Sequence, residues 1–202
     1  MKEKLKLYLV TDSKILKGRD FYKCIEDSLR GGVTTVQLRE KESSGKEFLD
    51  KAYKLRELTK KYNVMFIIND RVDIAILVEA DGVHVGQSDI SPLEVRRLIG
   101  SDKIVGVSAR TLEEAIEAKK NGADYLGVGA MFETNTKLDA KAVSIDTLKY
   151  INENIDLPIV AIGGLTLENI KKIEECNIDG YAIISAILGA KDIYLETKKW
   201  IK

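Results

Sequence analysis

The residues able to do chemistry in this chain cluster at the ends of short apolar runs. In Thr35-Val36-Gln37-Leu38-Arg39-Glu40-Lys41, two β-branched residues open a period-two alternation that sends Val36 and Leu38 to one face and Gln37, Arg39 and Lys41 to the other. A pair of cations at a strand end can hold an anion, although a solvated face has the same composition. Two later runs end in acids, Ile67-Ile68-Asn69-Asp70-Arg71 and Gly82-Val83-His84-Val85-Gly86-Gln87-Ser88-Asp89. An Asx cap on the next helix accounts for Asn69 and Asp70 taken alone. Two acids beside Arg39 and Lys41, however, are the oxygen donors that a Mg²⁺ ion carrying a phosphate would take. His84, the only histidine, faces away from Val83 and Val85 and reads as a hydrogen-bonded interior residue before it reads as a general base.

A second group of candidates lies later in the chain. Gly163-Gly164 and Ile184-Ser185 each follow an apolar run and expose backbone N–H groups, and Thr166 is expected to open a helix, so these loops suit a phosphate. The segment 129–140 contributes Thr134, Thr136 and Lys137, two hydroxyls and a cation, or else is an ordinary solvated loop. Loops of that length between tightly built elements commonly cover or complete a site. Ser108, near the end of Gly106-Val107-Ser108-Ala109, is either a hydroxyl donor or the cap of a turn.

The elements that must position these groups follow from periodicity. Strand-type runs at Leu7–Val10, Thr35–Arg39, Met65–Asn69, Gly82–Val85, Ile104–Val107, Tyr125–Val128, Ile159–Ile162 and Tyr181–Ile184 alternate with amphipathic helical windows. Ser44 with Glu47, Ser91 with Pro92 and Glu94, and Thr111 with Glu114 each fit a capping box, and Asn121-Gly122 marks a helix stop. Eight β/α units predict an α/β fold, a single (β/α)₈ TIM barrel spanning 1–202 as one catalytic domain. A doubly wound open sheet is the alternative, but no Gly-x-Gly-x-x-Gly follows the first strand to support its dinucleotide form. In a barrel, functional groups sit on the loops after the strands, and phosphate is often held after strands seven and eight. The candidates therefore fall into two anion sites at one mouth, one assisted by Mg²⁺ and one lined by backbone.

Composition restricts the partners. With 32 basic and 32 acidic side chains the formal charge is zero, so nothing global draws the chain to nucleic acid or to an anionic membrane. The apolar stretch Leu7-Tyr8-Leu9-Val10 is too short for a signal-peptide core, and no run approaches a membrane span. Cys24 and Cys176 lie far apart without metal-type spacing, which fits buried free thiols in a cytoplasmic protein. Homo-oligomerisation is left open.

The chain resembles the thiamine-phosphate synthase family along nearly its whole length. The resemblance rests on Leu7-Tyr8-Leu9-Val10-Thr11-Asp12, Gln37-Leu38-Arg39-Glu40-Lys41, Asn69-Asp70-Arg71, Gly82 through Gln87 with Asp89, Gly106-Val107-Ser108-Ala109, Thr134-Asn135-Thr136-Lys137 with Asp139, Ile162-Gly163-Gly164 and Ile184-Ser185-Ala186-Ile187, all in that order. It implies a transferase that joins an aminopyrimidine methyl diphosphate to a thiazole phosphate and releases pyrophosphate, through a pyrimidine-stabilised carbocation that the thiazole nitrogen captures. It further implies that Gln37, Arg39, Lys41, Asn69, Ser108 and Lys137 hold the pyrimidine diphosphate, Arg39, Lys41, Ser108 and Lys137 being the catalytic groups. Asp70 and Asp89 would bind Mg²⁺, while Thr134, Thr136, Gly163, Gly164, Ile184 and Ser185 would hold the thiazole phosphate.

Three rival readings share the barrel. A thiazole tautomerase places a histidine in the loop after strand six, where this chain has Ala130. A phosphosugar isomerase or epimerase needs an acid and a base facing each other across the mouth, whereas the acids here sit beside cations. A degenerate paralogue that only senses thiamine precursors would have lost diphosphate or Mg²⁺ groups, and none is missing. Ser88 before Asp89 and Arg110 after Ala109 depart from the usual synthase pattern without removing a binding group.

Overall fold

β-Branched and aromatic residues dominate the eight short runs, and in the computed structural model, which describes residues 1–134 and 142–201, each run is a strand. They are β1 (Leu7–Val10), β2 (Thr35–Leu38), β3 (Met65–Asn69), β4 (Gly82–Val85), β5 (Ile104–Ala109), β6 (Tyr125–Val128), β7 (Ile159–Ile162) and β8 (Gly180–Ile183). All pair in parallel with their sequence neighbours, and β8 returns to β1 through Tyr8 beside Ala182, so the sheet closes into a (β/α)₈ barrel. Three strands differ from the sequence reading: β2 ends at Leu38, β5 runs on to Ala109, and β8 starts and stops one residue earlier.

Helices α1 (Lys2–Leu5), α2 (Phe21–Gly31), α3 (Gly45–Lys61), α4 (Val72–Leu77), α5 (Pro92–Ile99), α6 (Leu112–Lys120), α7 (Ile145–Asn154), α8 (Ser185–Leu188) and α9 (Ile193–Lys199) complete the described elements. The longest, α3, starts at a reciprocal capping box between Ser44 and Glu47. Ser91 and Thr111 also cap their helices, but the reciprocal half is missing because Glu94 turns to Arg97 and Glu114 to Arg110. The helix expected from Thr166 does not form. Asn169 bonds back to the Gly164 carbonyl at 2.8 Å and to the Thr166 N–H at 2.8 Å, and the segment continues as two 3₁₀ turns, Ile170–Lys172 and Glu174–Cys176.

Alternation along the strands divides the core in two. Leu7, Leu9, Val36, Leu38, Phe66, Ile68, Val83 and Val85 pack outward against the helices. Tyr8, Val10, Met65, Ile67, Tyr125, Val160 and Ala182 fill the lumen, with Leu5 of α1 among them. The same alternation turns Gln37, Asn69, His84 and Ser108 toward the lumen. Both cysteines are buried and free, as expected, and burial raises their thiols above the ordinary range.

Candidate active site at the barrel mouth

Arg39 and Lys41 leave β2 on a loop that is anchored from several sides. The Thr11 hydroxyl accepts the Arg39 N–H at 3.0 Å. Glu40, its side chain only 5% exposed, accepts from Ser13 at 2.5 Å and Ser43 at 2.8 Å and pairs with Lys51 at 3.0 Å. With Glu40 committed, no side-chain partner for the Arg39 guanidinium occurs among the described residues. An unpaired, partly buried guanidinium at a strand end is an anion receptor.

Lys41 instead reaches the Asp70 carboxylate. Asp70 adopts φ +61°, a left-handed conformation that aspartate tolerates, and its N–H donates to the His84 carbonyl at 2.9 Å. Asn69 does not cap α4. Its amide donates to Asp70 Oδ1 at 2.8 Å and to the His84 carbonyl at 3.3 Å. Asp89 is held by the Gly86 N–H at 2.8 Å. Burial raises the Asp70 carboxyl above its usual range, Lys41 opposes the rise, and the adjacent Asp89 carboxylate adds to it.

Such a pair is relieved by a cation. Among the described residues no cluster of three or more His, Cys, Asp or Glu side chains could hold a metal. Mg²⁺ usually takes one or two carboxylates and completes its shell with water and substrate phosphates, so the Asp70–Asp89 pair fits it.

Deeper in the lumen, both ring nitrogens of His84 are engaged, Nδ1 with Tyr125 Oη at 3.0 Å and Nε2 with Ser108 Oγ at 3.0 Å. Gln37 donates through Nε2 to Tyr8 Oη at 2.7 Å. Burial holds both phenols well above their ordinary pKa, so they remain protonated. Periodicity alone had not singled out Tyr8, Tyr125 or Glu40. A phenol on the lumen face of a strand was the available signal, because its hydroxyl must find a partner when buried.

On the far side of the mouth, Thr134, Gly163, Gly164, Ile184 and Ser185 line one recess of about 20 Å³. Gly163 at φ +99° and Gly164 at φ +63° make a bend that only glycine fits, since a Cβ would lie 2.6 Å from Ala130 Cα or 2.3 Å from the Glu133 carbonyl oxygen. The Gly164 and Ser185 N–H groups have no partner among the described residues. Thr136 and Lys137 lie outside the described residues. A larger cavity of about 330 Å³ sits between α4 and α5 at the start of β4, lined by Arg56, Ile76, Leu98 and Lys103. It contains none of the strand-end candidates and has no part in this site.

The family model for thiamine monophosphate synthase matches residues 7–187. Thiamine-phosphate synthase of Clostridioides difficile (strain 630) is 67% identical over 99% of this chain and 95% of its own, and that of Methanobrevibacter smithii is 49% identical over 98% and 94%. The solved thiamine phosphate pyrophosphorylase from Pyrococcus furiosus superposes with TM-score 0.91 at 38% identity, covering 98% of this chain and 95% of that one. A 3-hexulose-6-phosphate synthase, at 16% identity and TM-score 0.68 over 98% of this chain and 100% of its own, shares the fold alone.

Proposed function

The chain belongs to the thiamine monophosphate synthase family, transferases of thiamine biosynthesis, and from that premise we propose that it condenses 4-amino-2-methyl-5-(diphosphooxymethyl)pyrimidine with thiazole phosphate in a Mg²⁺-dependent reaction. The products are thiamine phosphate and pyrophosphate. Residues 1–202 act as one catalytic domain. Gln37, Arg39, Lys41, Asn69, Ser108 and Lys137 bind the pyrimidine diphosphate, and Thr134, Thr136, Gly163, Gly164, Ile184 and Ser185 bind the thiazole phosphate. The observation that carries this reading is Arg39, without a side-chain partner among the described residues, next to the Lys41–Asp70–Asp89 cluster, with a backbone-lined recess across the same mouth.

The step is the cleavage of the carbon–oxygen bond to the diphosphate, whose electron pair leaves with the pyrophosphate. Arg39, Lys41 and Lys137 stabilise the charge that develops on it, Arg39 and Lys41 from a loop that is anchored before substrate arrives. Asp70 and Asp89 would hold Mg²⁺, which would supply further charge neutralisation to the same leaving group. Ser108 and Gln37 orient the pyrimidine so that the carbon left electron-deficient faces the thiazole nitrogen, which forms the new bond. No protein nucleophile is needed: among the described residues His84 is bonded through both ring nitrogens, and both thiols are buried. The tautomerase reading gains nothing, because Ala130 stands where its histidine would be.

The test mixes the purified protein with both phosphorylated precursors and Mg²⁺. Thiamine phosphate and pyrophosphate are expected in equal amounts, and their absence overturns the proposal. Undiminished turnover after exhaustive chelation would overturn the Mg²⁺ assignment alone.

A further inference from the structure

Five side chains from five strands form one continuous hydrogen-bonded chain across the lumen. It runs from Gln37 Nε2 on β2 to Tyr8 Oη on β1 (2.7 Å), to Tyr125 Oη on β6 (2.8 Å), to His84 Nδ1 on β4 (3.0 Å), and from His84 Nε2 to Ser108 Oγ on β5 (3.0 Å). Tyr8 is 1% exposed and Tyr125 is fully buried. Two glycines keep the space open. A Cβ on Gly106 would lie 2.2 Å from the Tyr125 ring, and one on Gly127 would lie 3.0 Å from His84 Cε1.

With the Gln37 amide turned as it is here, Nε2 toward Tyr8, the protons of this chain run in one direction. The Gln37 amide nitrogen can only donate, so Tyr8 Oη accepts from it, and the phenolic hydrogen of Tyr8 has Tyr125 Oη as its acceptor among the described residues. Tyr125 must then donate to His84 Nδ1, which leaves the neutral imidazole protonated on Nε2 and donating to Ser108 Oγ. In the reverse order, the Tyr8 hydrogen would meet the Gln37 amide hydrogens, and a buried hydroxyl without an acceptor is strongly disfavoured. Among the described residues two functions remain uncommitted at the ends: the Ser108 hydroxyl hydrogen, a donor, and Gln37 Oε1, an acceptor.

We propose that Tyr8, Tyr125 and His84 are positioning residues that fix the polarity of the pyrimidine site, presenting Gln37 as an acceptor and Ser108 as a donor. The matching ligand carries an amino donor and a ring-nitrogen acceptor, as an aminopyrimidine does. This ligand assignment rests on the functional reading above, whereas the polarity rests on the hydrogen-bonded chain alone. Substrates that present the opposite pattern, such as a hydroxypyrimidine in its keto form with a ring N–H, are discriminated against because both end groups would be mismatched.

Because His84 is the only histidine, protein labelled with ¹⁵N in histidine reports one imidazole, and long-range ¹⁵N–¹H correlation at alkaline pH reads its tautomer directly. The expected wild-type pattern is protonated Nε2 with bare Nδ1. Tyr125→Phe should shift the imidazole toward the other tautomer and raise KM for the pyrimidine diphosphate by roughly tenfold, with KM for thiazole phosphate unchanged. Tyr8→Phe, which keeps the ring and breaks the chain one link earlier, should raise the same KM severalfold, and thermal unfolding would establish that both variants are folded. A protonated Nδ1 in an active wild-type enzyme overturns the proposal, as does a folded Tyr125→Phe variant with unaltered tautomer and pyrimidine KM. An equal rise in both KM values also overturns it, because general loosening of the barrel would do that. The tautomer is read without substrate, so failure of the functional reading would appear separately, as protonated Nε2 in a protein that makes no thiamine phosphate.

Discussion

Asp70 and Asp89 show how much a residue's neighbours decide its role. Neither acid caps a helix, and side by side they load one corner of the mouth with negative charge, which burial disfavours at Asp70 and Lys41 offsets. Asp89→Ala is therefore expected to lower kcat/KM by on the order of 100-fold and to move the Mg²⁺ titration to higher concentration. Initial rates measured against Mg²⁺ concentration check this, and an unchanged titration would contradict the metal assignment. At this scale much was legible in the sequence. Gln37, Asn69 and Ser108 lie on the lumen side because strand alternation puts them there. The partners of Gln37 and Ser108 were not legible, because an alternating pattern cannot tell a phenol that links two strands across a lumen from one that merely fills space. Glu40 was hidden for a similar reason: its three partners come from positions 13, 43 and 51, which only the folded chain brings together.

Among the elements, the bend after β7 contributes most to the second anion site. Its shape depends on two consecutive positive φ angles, and its Gly164 N–H has no partner among the described residues. Gly164→Ala is expected to raise KM for thiazole phosphate by about tenfold or more and to destabilise the protein by about 1–3 kcal/mol, since the added methyl meets the Glu133 carbonyl in a strained conformation. Kinetics with thiazole phosphate varied, together with denaturant unfolding, would measure both effects. Sequence reasoning located this bend but assigned it the wrong successor. Thr166 with Asn169 has the look of a helix start, and what decides otherwise is the reach of the Asn169 amide back to Gly164, a contact invisible to propensity. Strand ends misread by one residue have the same origin, because pairing across the barrel sets them.

For the molecule as a whole, closure was legible from the regular β/α alternation, but what seals the lower end was not. Four residues, Lys2–Leu5, form a helix too short to announce itself, and they lie across the base. The Thr35 hydroxyl bonds the Lys4 carbonyl, Tyr181 donates to the Lys6 carbonyl at 3.2 Å, Lys2 pairs with Asp179 at 2.8 Å, and Leu5 is fully buried with the lumen residues. Leu5→Ala should destabilise the fold by about 2–5 kcal/mol, read from the denaturant midpoint, while turnover well below the transition stays near wild type. A loss of turnover as large as that of Asp89→Ala would mean that the base and the mouth are coupled.

A vessel stoppered at its foot has a single doorway. With Leu5 below and the Tyr8–Tyr125–His84 layer above it, the axis is filled, so on the proposed function both substrates and both products would share one threshold. On the assignment proposed here the pyrimidine sits deepest. Its companion, held across the same mouth, uses the same way in and out.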